Sequence, residues 1–243
     1  MDPLAGSPWS TASTVSGFVA SPPNATLMAF AQRRLVHPGL RALDIGCGAA
    51  RNLLPLAEQG WDVVGVDLSR PMLAAARDRF SGSRVPGFSG SGSGSGSSSS
   101  SGSLVLAMAP MDALPVASGT VDLIVAHGIW NLARSGAEFR AAVQEAARVA
   151  RPDAALFVFT FSRRTLPTAA LPVPGETFVY TQFSGQPQVF LTADQLTREL
   201  SRAGFTPDPA VPLTEHNVPR PGSLTAQAAP VIFEAAYRYT SGT

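Results

Sequence analysis

A corner in the first third of the chain, Asp44-Ile45-Gly46-Cys47-Gly48-Ala49-Ala50-Arg51-Asn52, sets a carboxylate beside two closely spaced glycines at the end of an apolar run. Glycine lets a ligand approach the backbone more closely than any Cβ would permit, so the corner is suited to a bound molecule. A dinucleotide turn would read G-x-G-x-x-G and set pyrophosphate on the following helix N-terminus. Arg51 stands at the third glycine position, and Asp44 would repel a pyrophosphate while attracting the cationic amino group of an aminoacyl moiety. Roughly twenty residues on, Asp67 closes a second apolar run, where an acid can accept both hydroxyl protons of a ribose. A helix-capping or solvated aspartate is the plain alternative, and the glycine corner at this spacing favours the ribose. Titratable side chains gather again at His127-Gly128-Ile129-Trp130-Asn131-Leu132 and at Thr214-Glu215-His216-Asn217-Val218-Pro219-Arg220.

Such residues need a scaffold that brings them to one edge. Leu27, Phe30, Ala31 and Leu35 recur at helical spacing between Asn24 and Val36, with Asn24 as N-cap after Pro22-Pro23. Ala42 to Ile45 then reads as a strand, Asn52 to Gln59 as a helix that Gly60 terminates, and Asp62 to Asp67 as a buried strand. Ser69 caps a helix from Pro71 to Arg79. Strands at Leu104 to Met108, Val121 to Ala126 and Ala154 to Phe161 follow, with a helix from Ala137 to Val149 between the last two. Thr192 caps a helix through Arg202, and Ala210 to Leu213 and Val231 to Arg238 are expected to pair as antiparallel edge strands. This alternation calls for an α/β, doubly wound fold, with a mostly parallel seven-stranded sheet, helices on both faces and an antiparallel edge strand. Residues 24–243 are one domain in this reading, behind an N-terminal segment, 1–23. The nearly pure Ser/Gly tract at 87–103 is too poor in apolar surface to order itself. It is expected as a disordered, passive loop at the sheet edge opposite the carboxyl ends, of natural or engineered origin.

Leu43-Asp44-Ile45-Gly46-Cys47-Gly48, with Val66-Asp67-Leu68-Ser69 and Met72-Leu73, resembles the class I S-adenosylmethionine-dependent methyltransferases, and the similarity extends from about Asn24 to Tyr239. The resemblance implies S-adenosylmethionine as methyl donor and S-adenosylhomocysteine as product. It implies a methionine side lined by Asp44, Gly46, Cys47, Gly48 and Asn52, a ribose held by Asp67, and an adenine packed by Leu68 and Met72. Ala50 replaces a frequent third glycine of the family. Pro110 stands where the family's adenine-contacting acid usually falls, so the resemblance leaves that contact either to the Asp112 side chain or to backbone groups of Met111 and Asp112, with Ala113 beside them. Arg148 to Asp153 is similar to the turn before the fifth strand, and Thr192 to Phe205 to the last helix.

Methyl transfer is an in-line displacement that needs alignment and exclusion of water, and a base only where the acceptor carries a proton. His127 is a candidate both for that base and for an anchor beside the methionine moiety. Tyr180 and His216 are further catalytic candidates. Trp130 reads as an aromatic wall for the acceptor or as a cap on the core, with Asn131 beside it. Arg163 and Glu215 are substrate candidates, although such polar runs are more often solvated surface. Trp9 and Phe18, isolated among small polar residues, would belong to a lid over the site or to a frayed terminus.

Composition limits the partners. Eighteen Lys plus Arg against 17 Asp plus Glu leave no basic field for nucleic acid. A lone cysteine builds no disulfide and no thiolate metal site, and no metal is expected. Neither a signal peptide nor an apolar stretch of about 18 residues is present. The reading is therefore a cytoplasmic monomer or homodimer that methylates a small-molecule O, N, S or halide nucleophile. Its rivals are an RNA or protein methyltransferase, a catalytically silent S-adenosylmethionine-binding protein and, more distantly, a nucleotide-dependent oxidoreductase.

Overall fold

In the computed structural model, which describes residues 2–83, 85, 103–218 and 229–240, the strand-helix alternation closes into one large sheet. Its strands are β1 (Arg41–Ile45), β2 (Asp62–Asp67), β3 (Leu104–Met108), β4 (Val121–His127), β5 (Ala150–Phe161), β8 (Phe205–Pro207), β9 (Thr214–His216) and β10 (Ile232–Tyr239), while β6 (Val179–Tyr180) and β7 (Gln188–Val189) form a separate hairpin. The main path runs β3-β2-β1-β4-β5-β10-β8, with β9 paired to β10 beside it. The first five strands are mutually parallel, and β10 is antiparallel to β5, β8 and β9. From β1 the chain winds outward to β2 and β3, then returns to β4 on the other side. The carboxyl ends of β1 and β4 thus flank a switch point, where open α/β sheets bind ligands.

Helices cover both faces. Helices α2 (Ala25–Arg34), α3 (Leu53–Gln59) and α4 (Arg70–Ser81) bury Phe30, Leu53, Leu56 and Phe80 with Trp61 and Phe157 against one face. On the other, α5 (Gly136–Val149) and α6 (Ala193–Arg202) bury Phe139, Val143, Leu196 and Leu200. Each such side chain contributes about 1.5–3 kcal/mol by leaving water. The expected caps form at Asn24, Ser69 and Thr192, which accept from the backbone N–H of Leu27, Met72 and Gln195, with Thr192 and Gln195 completing a capping box; Ser135, not expected, caps α5 by accepting from Glu138 N. Helix α3 ends at Gly60, left-handed at φ 108°.

The tail of the sheet differs from its expected pairing. Residues 210–213 are irregular, because Pro209 precedes the stretch and Pro212 lies within it, and neither has an N–H to give a ladder. The segments on either side, β8 and β9, pair with β10 instead, which places β10 inside the sheet and leaves β8 at its edge. The Ser/Gly tract lies outside the described residues except for Ser103, whose N–H donates to Asp62 Oδ1 (2.7 Å) at the amino end of β2. Helix α1 (Ala12–Ala20), preceded by a 3₁₀ turn at Pro8–Ser10, buries none of its own residues. Among the described residues no helix is long and apolar enough to cross a membrane, and no group of three metal-ligating side chains is present.

Candidate functional site

The glycine corner turns back onto β2: the N–H groups of Gly46 and Cys47 both donate to the Val66 carbonyl, at 2.8 and 2.9 Å. Gly46 (φ 71°) and Gly48 (φ 53°) hold left-handed conformations. A Cβ on Gly46 would lie 2.8 Å from Ile129 Cδ1, and one on Gly48 would lie 3.2 Å from Phe18 Cδ1. A side chain would thus overlap Ile129 at Gly46 and press on Phe18 at Gly48. Cys47 turns its sulfur into the core, buried against Gly65, and burial pushes its thiol pKa well up. Asn52 is buried and accepts the Asn24 N–H at Oδ1 (3.0 Å), which ties the start of α2 to the start of α3.

Asp44, 2% exposed at the end of β1, receives no hydrogen bond among the described residues. Burial, opposed by the Arg51 guanidinium and reinforced by Asp67, raises its carboxyl to about 7. A buried acid without a donor is costly unless a cation joins it, and the ammonium of an aminoacyl ligand meets that need. Asp67 at the end of β2 is satisfied differently: its carboxylate accepts from Gly48 N (2.9 Å) and Ser69 N (2.7 Å). Burial still raises its pKa above the ordinary value. Next to it, Leu68 is half-buried and Met72 is buried beneath Gly48. Beyond β3, Met111 is buried, whereas Asp112 and Ala113 face solvent.

His127, at the carboxyl end of β4, stacks on Phe159 with ring centroids 4.1 Å apart. Arg51 Nη2 lies 3.1 Å from its Nδ1 and Asn24 Nδ2 lies 3.3 Å from its Nε2. Burial and the Arg51 charge hold the imidazole neutral, with a pKa of about 3. A neutral ring has one lone pair for two donors. His127 is thus an anchor between the corner and α2 and a weak proton acceptor in this arrangement.

The N-terminal segment crosses this site. Phe18 lies against Gly48 and under the Arg51 guanidinium (5.9 Å to the ring centroid), and Trp9 meets Phe18 edge-on at 6.2 Å. Ser69 Oγ donates to the Trp9 carbonyl at 3.0 Å, and Arg79 Nη1 reaches both Val19 O and Ala49 O. Trp9, Phe18, Asp44, Gly48, Asp67, Met72 and His127 are thus brought together by the corner and its cover.

Other candidates sit elsewhere. Trp130 is fully buried against Phe139 in the core, and Asn131 is 2% exposed beside it. Arg163 Nε donates to Tyr180 Oη (3.1 Å), and its guanidinium also binds the carbonyls of Leu166, Pro167, Thr168 and Ala170. Those two residues pin a hairpin whose aromatic cluster includes Phe161, Phe183 and Phe190. Glu215 is engaged by Ser162 Oγ (2.6 Å) and Arg164 (2.7 Å). His216 points to the other face of β9, where its Nε2 lies 3.1 Å from Glu234 Oε2. Sequence reading left out Arg51 as a partner of His127, and it left out Glu234. The signal for the latter was a lone acid in the apolar run Val231-Ile232-Phe233-Glu234-Ala235-Ala236.

A family model described as a methyltransferase domain matches residues 43–158, which span the corner, His127 and most of β5. A demethylmenaquinone methyltransferase from Corynebacterium glutamicum is 27% identical over 191 residues, covering 72% of this chain and 71% of that protein. One from a Parafrankia species is 38% identical over 136 residues, 56% of this chain and 52% of its own length. Among solved structures, a SAM-dependent methyltransferase from Methanosarcina mazei superposes with a TM-score of 0.61 at 18% identity, covering 90% of this chain and 99% of its own.

Proposed function

Because the chain belongs to the class I S-adenosylmethionine-dependent methyltransferases, we propose that it methylates a small acceptor carrying a hydroxylated apolar ring, held at the carboxyl ends of β4 and β5 and the amino end of the antiparallel β10. When bound, S-adenosylmethionine supplies an electrophilic methyl group on a sulfonium. In this reading Asp44 takes the donor's ammonium and Arg51, drawn off His127, takes its carboxylate. Asp67 takes the ribose hydroxyls, and Leu68 and Met72 pack the adenine. The observation that carries the donor side is the buried, donor-less Asp44 beside two left-handed glycines, where a Cβ would crowd Ile129 and Phe18. The acceptor side rests on the relatives named for demethylmenaquinone, on the apolar Phe159 face and on a near-neutral charge that offers nothing to RNA. Labelled methyl donor with a panel of hydroxylated aromatics tests it. Label extracted into organic solvent is expected; label retained in added RNA or protein, or donor bound without product, overturns it.

Residues 2–23 act in this reading as a lid over the donor, with Phe18 as its apolar contact and Asn24 as its root. Adding S-adenosylhomocysteine should slow proteolytic cleavage within the segment. Phe18→Ala should weaken donor affinity by roughly tenfold, the value of about 1–2 kcal/mol for a half-buried aromatic contact. Equal cleavage rates with and without the ligand would reject the lid.

A further inference from the structure

Strand β10 is apolar from Ile232 to Tyr237 except at Glu234. Alternation turns Phe233, Ala235 and Tyr237 toward α5 and α6. Glu234 faces the other side, registered against Phe159 on β5, the ring on which His127 stacks. A carboxylate only 4% exposed is costly unless it is paired and hydrogen-bonded. No guanidinium or ammonium meets it among the described residues. Its partners are Asn24 Nδ2, 2.7 Å from Oε1, and His216 Nε2, 3.1 Å from Oε2. A carboxylate bonded to one ring nitrogen fixes the tautomer, leaves the lone pair on the other and stabilises the imidazolium once it forms. The pair stands at the carboxyl end of the sheet, reached from His127 through the single side chain of Asn24, and His216 remains 46% exposed. Around it the other titratable groups are His127 beyond Asn24, and Glu215 on β9, which turns away to Ser162 and Arg164.

Resting on the small-acceptor reading above, we infer that His216 and Glu234 form the base of the reaction: His216 removes the proton from an un-ionised hydroxyl of the acceptor, and Glu234 is the positioning residue that orients it. The hydroxyl proton moves to the free nitrogen of His216. The oxygen electron pair, directly or through a conjugated ring carbon, forms the bond to the methyl carbon. The electrons of the broken C–S bond stay on sulfur, giving S-adenosylhomocysteine, and the imidazolium returns its proton to water. His127, occupied by Arg51 and Asn24, stays an anchor.

Two acceptors of similar shape test the pair in the intact chain: naphthohydroquinone, un-ionised at neutral pH, and lawsone, a hydroxynaphthoquinone already ionised there. His216→Asn should lower kcat for naphthohydroquinone by about 10²- to 10⁴-fold, the usual share of a general base, and remove the acid limb of its pH profile. Glu234→Gln should lower it in the same direction. Lawsone should be methylated by both variants near the rate of the unmodified chain, with KM for S-adenosylmethionine unchanged. Calorimetric binding of naphthohydroquinone to the S-adenosylhomocysteine complex should also be unaltered. Equal losses with both acceptors, or no loss with either, overturn the pair as base. If the unmodified chain binds the donor but methylates neither compound, the acceptor reading falls, and this inference with it.

Discussion

Asp44→Asn is expected to weaken binding of S-adenosylmethionine severely and, at the same time, to make the ligand-free protein more stable at alkaline pH. Both effects come from one buried charge. Burial raises the Asp44 carboxyl from 3.8 to about 7, so between those values the folded chain holds one proton more than the unfolded chain. Stability then falls as pH rises through that window, by about 1.4 kcal/mol per unit and about 4 kcal/mol in all. An amide escapes this cost. In the proposed reading binding reverses the sign, because the donor's ammonium would favour the carboxylate. Donor affinity in the unmodified chain should therefore drop about tenfold per unit below pH 7 and level off above it. Losing the carboxylate should weaken donor binding by on the order of 10³-fold, as for a buried ion pair that loses one partner.

His127 contributes the opposite slope. Its pKa falls from 6.5 to about 3, so the unfolded chain takes up the extra proton, and stability is lost as pH falls through that window. Over their shared range the two groups cancel. Thermal unfolding of the unmodified ligand-free protein should be nearly flat in pH there, and Asp44→Asn should expose the His127 slope as a falling Tm on acidification. A variant with the parent's alkaline Tm and normal donor affinity by calorimetry would refute the assignment of Asp44.

Gly46→Ala should destabilise the chain by about 2–5 kcal/mol and weaken donor binding with it. The backbone at φ 71° costs an L-residue about 1–2 kcal/mol. The new methyl would also stand 2.8–2.9 Å from three Ile129 side-chain atoms, an overlap that costs about 1–3 kcal/mol more in a packed site. Adding Ile129→Ala removes two of the three close atoms, Cδ1 and Cγ1, and should recover part of the loss without relieving the backbone. Gly39 separates the two costs, since it has φ 81° and a Cβ there would meet nothing within 4 Å. Gly39→Ala should show the backbone cost alone. Urea midpoints for the four proteins decide the matter; equal losses at Gly39 and Gly46 would mean that Ile129 does not press on the corner.

Much of the site was legible because its chemistry is local. The order Asp44, Gly46, Gly48 and then Asp67 lies on two adjacent parallel strands and the turn-helix crossover that joins them, so spacing along the chain already implies proximity in space. Caps at Asn24, Ser69 and Thr192 were readable for the same reason, since each bonds to the backbone three residues on. The tail was less legible: Pro209 and Pro212 moved the pairing of β10 to segments too short to announce themselves by alternation.

What the sequence determined by itself is the fold class, the glycine corner and the positions of the two acids beside it, all set within one strand-turn-helix-strand unit. Only the tertiary structure decided what each remaining polar side chain does. Packing spends Arg163 on Tyr180, Glu215 on Arg164 and His127 on Arg51, and it brings Asn24 and Glu234, 210 residues apart, within 2.7 Å. Side-chain chemistry is written in the sequence, but which partners consume it depends on contacts between distant segments, and no local spacing records those.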